Sequence, residues 1–168
     1  MRDDLSIRPL TMDDRGAAAA VINAAAEWYS EFLPPGGLHG PEMTEDGWQA
    51  EARRMTWYGA FDGKDLVGVM GLERARDVVL FRHAYVLPSH QRQGVARMLL
   101  GHLESQVRDV ERIIVGTYAA NYKARGALEK GGYRLSTDSE AVLRTYYDIP
   151  EDRLQSSVTY EKTVGGQA

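Results

Sequence analysis

The chain has no cysteine in its 168 residues. That excludes a disulfide framework, thiolate catalysis and any zinc site built on cysteine. It has no apolar run near the ~20 residues that a membrane span needs. The opening Met1-Arg2-Asp3-Asp4 lacks the apolar core of a signal peptide. The expected compartment is therefore the cytoplasm, with no membrane partner. There is no G-x-x-x-x-G-K-[ST] phosphate loop, nor a G-x-G-x-x-G fingerprint followed by a ribose-binding acid. His39, His90 and His102 have no ligand spacing with one another, so no metal site is expected. Basic residues are not in excess. The net charge of −4 argues against a general nucleic-acid binder.

What remains is ordinary globular material. Hydrophobic residues make up 43% and charged residues 26%, which fits one packed domain, expected over residues 1–164 with a frayed tail at 165–168. The charge is unevenly spread. Residues 1–50 carry acids at 3, 4, 13, 14, 27, 31, 42, 45 and 46 but only Arg2, Arg8 and Arg15 as bases. From Val78 to Leu103 there is no carboxylate, while Arg82, Arg92 and Arg97 are present. Such a window suits an anionic ligand, and it equally suits chance clustering around a buried strand and helix.

Leu5 to Leu10 alternates as a short strand. Thr11 with Asp13 and Asp14 marks a helix start, and Ala18, Val21, Ile22, Ala25 and Tyr29 share one helical face. The Pro-Gly stretch 33–41 breaks it, and a second helical segment runs from Thr44 to about Met55. Trp57–Phe61 and Asp65–Leu72 read as strands around an Asp62-Gly63 hairpin turn. Val78–Leu87 is a longer strand closed by Pro88. Val95, Met98, Leu99, Leu103, Val107 and Val110 predict a helix of four turns. A buried strand over 112–119 follows, then a helix over 123–130 stopped by Gly131-Gly132. A brief strand over 133–135, a helix over 139–147 and a strand over 157–164 complete the order. The pattern is a mixed α/β (α+β) sheet with helices on both faces.

The sharpest local signal is Tyr85-Val86-Leu87-Pro88-Ser89-His90-Gln91-Arg92-Gln93-Gly94-Val95-Ala96. A strand ends, a polar loop follows, and a helix begins at the glycine. Free N–H groups and the dipole of a helix start favour an anion. Gly94 and Ala96 allow close approach to the backbone, and Arg92 and Arg97 add positive charge. An ordinary β-to-α loop with surface arginines reads the same way.

Gln91-Arg92-Gln93-Gly94-Val95-Ala96 resembles the coenzyme A pyrophosphate loop of the GNAT acetyltransferases. Asn121-Tyr122-Lys123-Ala124 through Gly131-Gly132-Tyr133 is similar to that family's N-x-x-A-…-G-[FY] segment. Ile7-Arg8-Pro9-Leu10-Thr11-x-x-Asp14 resembles a common family opening, so the likeness runs in order along nearly the whole chain. The resemblance implies a central, mixed, largely antiparallel twisted sheet flanked by helices. It also implies acyl transfer, usually of acetyl, from coenzyme A to an amine in a ternary complex, with acetyl-CoA as cosubstrate. Pantetheine would meet the main chain of Val86 and Leu87. The pyrophosphate would lie over Arg92, Gln93, Gly94, Val95, Ala96 and Arg97, and Asn121 would meet the pantetheine arm. A homodimer is left open.

The chemistry needs a neutral amine, although alkylammonium groups have pKa ~10.4; the departing thiolate, at ~8.5, needs less help. The family's usual tyrosine acid falls, by count from Asn121, on Leu128, and the glutamate base of some members falls on Gly116. His83, Tyr85 and Tyr118 are the candidate catalytic residues in their place. His83 and Tyr85 share a strand face by period-two alternation, and imidazole suits a base near neutrality. A histidine within a strand also serves as a hydrogen-bonded core residue. The resemblance puts the acceptor against residues 27–58, where Trp28, Tyr29 and Glu31 would suit a cationic amine or would simply be core aromatics and a solvated acid. The alternative function is an acyl-CoA sensor on the same fold.

Overall fold

The structure is a computed structural model that describes residues 4–27, 42–147 and 149–164. Trp28, Tyr29, Glu31 and the Pro-Gly stretch 33–41 lie outside the described residues. The strands are β1 (Leu5–Pro9), β2 (Thr56–Asp62), β3 (Asp65–Ala75), β4 (Val78–Val86), β5 (Arg112–Tyr118), β6 (Arg134–Leu135) and β7 (Ser157–Thr163). The helices are α1 (Arg15–Ala26), α2 (Glu45–Ala52), α3 (Val95–Ser105), α4 (Tyr122–Lys130), α5 (Ser139–Tyr146) and α6 (Glu151–Gln155). The strand order is β1-β2-β3-β4-β5-β7-β6. Pairs β1·β2, β2·β3, β5·β7 and β6·β7 are antiparallel and β4·β5 is parallel, which is the mixed, largely antiparallel sheet expected. No helix among the described residues is long and apolar enough to cross a membrane.

The chain divides into two compact units, Met1–Glu73 with Arg82–Gln106, and Arg74–Phe81 with Val107–Ala168. In the first, Thr11 and Asp14 form a capping box, with Thr11 N donating to Asp14 Oδ2 at 2.8 Å. Arg8 bridges the same carboxylate at 3.0 Å. Helix α1 buries Ala18, Val21, Ile22 and Ala25 in a core with Trp48, Trp57 and Val69. Asn23 ties α1 to the entry of α2, donating to Met43 O at 2.8 Å and accepting from Met43 N at 2.9 Å. Helix α3 lies close on β3. A Cβ built at Gly68 would stand 2.9 Å from Val95 Cγ1 and 3.2 Å from Leu99 Cδ1.

In the second unit, Val78–Phe81 pairs with Arg112–Val115 in parallel, and β7 runs antiparallel along the other side of β5. Val78, Leu80 and Ile114 form a core covered by Val142, Tyr146 and Tyr147. Asn121 caps α4, its Oδ1 accepting from Ala124 N at 3.2 Å.

Two expectations need correction. Helix α3 ends at Ser105, three turns rather than four. Val107 and Val110 belong to a turn in which Asp109 is left-handed (φ +59°) and Arg74 donates to the carbonyls of Arg108 and Asp109, each at 3.0 Å. Val110 is buried without being helical. Helix α6, absent from the expected order, starts after Pro150 and carries Glu151 and Asp152 in its first turn.

Candidate functional site

Strand β4 hands over to the loop through a set of fixed contacts. Leu87 N donates to Val67 O at 2.9 Å, and His90 N donates to Leu87 O at 2.9 Å across a 3-10 turn, Pro88–His90. His90 Nε2 lies 2.9 Å from Asp62 Oδ2 at the end of β2, and its Nδ1 lies 2.8 Å from Ser89 Oγ. Gln91 donates to Val86 O at 3.3 Å and Gln93 to Ser89 O at 3.2 Å. The two glutamines of the motif thus brace the loop.

Arg92 (φ +65°) and Gly94 (φ +83°) are both left-handed, on either side of Gln93. Turns that mix backbone handedness in this way gather N–H groups into anion-binding concavities. A left-handed arginine also costs energy that the surroundings must hold, a frequent mark of functional loops. Gly94 is the N-cap of α3 and supplies no side-chain cap. The first N–H groups of α3 therefore have no partner from the cap. A Cβ at Gly94 would meet nothing within 4 Å among the described residues, so the backbone there is open to close approach. Val86, Leu87, Arg92, Gln93, Gly94, Val95, Ala96 and Arg97 all lie on this stretch, with Arg92, Ala96 and Arg97 exposed and Val95 buried.

A second cluster surrounds His83, which is left-handed within β4 (φ +55°) and so departs from strict strand alternation. Its ring packs against Trp57 with centroids 5.4 Å apart, and Trp57 stacks on Trp48, also at 5.4 Å. His83 Nε2 is buried and finds no hydrogen-bond partner among the described residues. Glu51 Oε1 of α2 stands 3.6 Å away, at the outer edge of hydrogen bonding. The other oxygen of Glu51 receives Arg54 at 2.5 Å and faces Arg82 at 3.7 Å, while Arg82 also bridges Glu73 at 2.8 Å. The contact with His83, then Arg54 and Arg82, hold the Glu51 carboxyl well below the usual range, at about 2, against the opposing effect of burial. At 3.6 Å the His83 contact is long, so the guanidiniums carry a large share. Tyr85 OH reaches Glu42 Oε1 at 3.5 Å, a marginal bond.

Sequence reasoning missed Glu51. A signal existed: Trp48, Glu51 and Met55 fall at i, i+3 and i+7 and so share one face of α2 and the turn after it, an acid between two buried residues.

In the second unit, Asn121 is buried and engaged locally, with Nδ2 donating to Thr117 Oγ1 at 3.3 Å besides its cap contact. Tyr118 is partly exposed, with the Arg153 guanidinium 5.9 Å from its ring centroid. Leu128 is 6% exposed and packs in the core. Over Gly116 stands Tyr147, whose OH would lie 3.4 Å from a Cβ at that position.

The family model described as Acetyltransferase (GNAT) family matches residues 15–133, more than two thirds of the chain. The chain belongs to the GNAT acetyltransferase family. No curated protein matches it. Among solved structures, PaiA N-acetyltransferase from Thermoplasma acidophilum, in complex with coenzyme A, superposes with TM-score 0.75 at 14% identity, covering 95% of this chain and 99% of that one. An acetyltransferase from Streptococcus agalactiae gives 0.73 at 17%, covering 97% and 100%. The ribosomal-protein-S18-alanine N-acetyltransferase from Escherichia coli gives 0.70 at 19%, covering 98% of each chain. At these identities the likeness is one of fold. In this GNAT chain Gly116 lies beneath the Tyr147 ring, and Leu128 is a core residue.

Proposed function

We propose that this GNAT protein moves an acetyl group from acetyl-CoA to a primary amine of a small molecule or peptide by direct attack. The observation that carries the reading is the loop. Arg92 and Gly94, both left-handed, lead into the open start of α3 with arginines on either side of the glycine. The open backbone at Gly94 suits the close approach of a diphosphate to the start of α3. In the transfer the amine nitrogen attacks the thioester carbonyl and the C–S bond breaks. Of the three protons of an ammonium, one leaves through a base, one ends on the coenzyme thiol and one stays on the amide. His83 is the base in this reading, and a positioned base is worth ~10²–10⁴ in rate.

The glycine at 116 and the core leucine at 128 favour a second reading, an acyl-CoA sensor that has lost transfer. Coenzyme A release with a panel of primary amines, run beside an acetyl-CoA titration by calorimetry, separates the two. Acetyl-CoA binding with amine-dependent thiol release supports the transferase. Binding without release on any amine supports the sensor, and no binding removes both.

A further inference from the structure

We propose that Glu51 and His83 form a carboxylate–imidazole dyad in which Glu51 holds the Nε2–H tautomer of His83, so that Nδ1 is the nitrogen that takes the proton of the acceptor amine. This rests on His83 being the base of the transferase. Three observations converge on it. Nε2 is buried and has no hydrogen-bond partner among the described residues, which is costly for a polar atom and calls for a partner in some state of the protein. The acceptor in place is Glu51 Oε1 at 3.6 Å, and catalytic hydrogen bonds are often long before substrate arrives. The ring is held by Trp57 and by a left-handed backbone, so its orientation is fixed at an energetic cost rather than left to chance.

The electrostatics agree. Glu51 is anionic across the working range, because its carboxyl is held far below neutrality. Glu51 of α2 faces Nε2, its other oxygen is held by Arg54 and faces Arg82 of β4, and Arg82 in turn bridges Glu73 of β3. Trp57, from β2, is uncharged. The group 3.6 Å from Nε2 is a carboxylate, which favours an N–H there and stabilises the imidazolium once Nδ1 has taken a proton. Glu51 is a positioning residue and touches no reacting atom.

The test uses the full chain and two readouts. Nitrogen-15 NMR of the histidine rings is expected to find neutral His83 as the Nε2–H tautomer, and in Glu51→Gln its titration midpoint moves to lower pH. In kinetics, Glu51→Gln is expected to lower kcat by about 10²-fold, leave KM for acetyl-CoA unchanged, and move the acid limb of kcat/KM to lower pH. An Nδ1–H tautomer in the wild type overturns the dyad, as does a folded Glu51→Gln with an unmoved midpoint or acid limb. The tautomer is read on the wild type, so it stands whether or not the variant folds. His83→Gln is the control for the underlying reading. If its acid limb persists, His83 is not the base. If its limb disappears while that of Glu51→Gln stays in place, only the dyad fails.

Discussion

The tightest expectation concerns Gly94. Its φ of +83° lies where L side chains are strained, yet a Cβ there would touch nothing within 4 Å among the described residues. The penalty of Gly94→Ala is therefore backbone strain alone, with no added clash. Left-handed backbone costs an L-residue ~1–2 kcal/mol. For a chain of this length each kcal/mol lowers Tm by ~2–4 °C, so Gly94→Ala should melt about 2–8 °C lower. Gly94→Asn keeps the left-handed preference and should lose less. Gly94→Glu adds strain similar to that of alanine, plus a negative charge where the loop is to accept an anion. It should stay folded with a Tm near that of Gly94→Ala and bind acetyl-CoA at least tenfold more weakly, ~1.4 kcal/mol or more. Scanning calorimetry measures the first quantity and titration calorimetry the second. Equal acetyl-CoA affinities for Gly94→Glu and wild type would refute the assignment of this loop. Equal melting of the alanine and wild-type proteins would refute the strain.

Leu128→Ala should cost ~2–5 kcal/mol of stability, as a buried leucine does, with no change in acetyl-CoA affinity; a specific loss of turnover in a well-folded Leu128→Met would show that the position does more than pack. Acid stability should follow Glu51. Its folded value of about 2 lies below the ordinary 4.5, so its contribution is complete above the ordinary value and is lost as pH falls between the two. After allowance for solvent screening this amounts to roughly 1–2 kcal/mol, and denaturant melts of Glu51→Gln from pH 6 down to 3 should be correspondingly flatter than those of wild type. Asp62→Asn, which weakens the contact between His90 and the end of β2, should raise KM for acetyl-CoA more than it changes kcat; an unchanged KM would show that this contact does not set the loop.

The order of strands and helices was largely legible because it is written in local patterns: alternation in β1, the Asp62-Gly63 turn, the Gly131-Gly132 stop. The extent of α3 was not. Val107 and Val110 continue the helical spacing, but Arg74, over thirty residues earlier, captures the carbonyls of the turn, and no local window contains that contact. The 91–96 motif and its place between strand and helix could be read, whereas the handedness of Arg92 could not, since nothing in an arginine predicts positive φ. The same holds for His83. Its type and strand were readable, but its partner sits on α2, and the pairing exists only once Trp48 and Trp57 have packed that helix down.

The closeness of α3 to β3 makes a statement about descent. Gly68 leaves room for Val95 and Leu99 only because it has no side chain, and the carbonyl of Tyr85 closes the third side at 3.4 Å from where a Cβ would be. Val95 is also the first residue of α3, so any methyl gained at 68 would push on the start of the helix that carries the loop. Relatives of this chain should therefore show these positions drifting as a pair, a larger residue at 68 only beside a smaller one at 95, and the height of the loop above the strand would be inherited through that exchange.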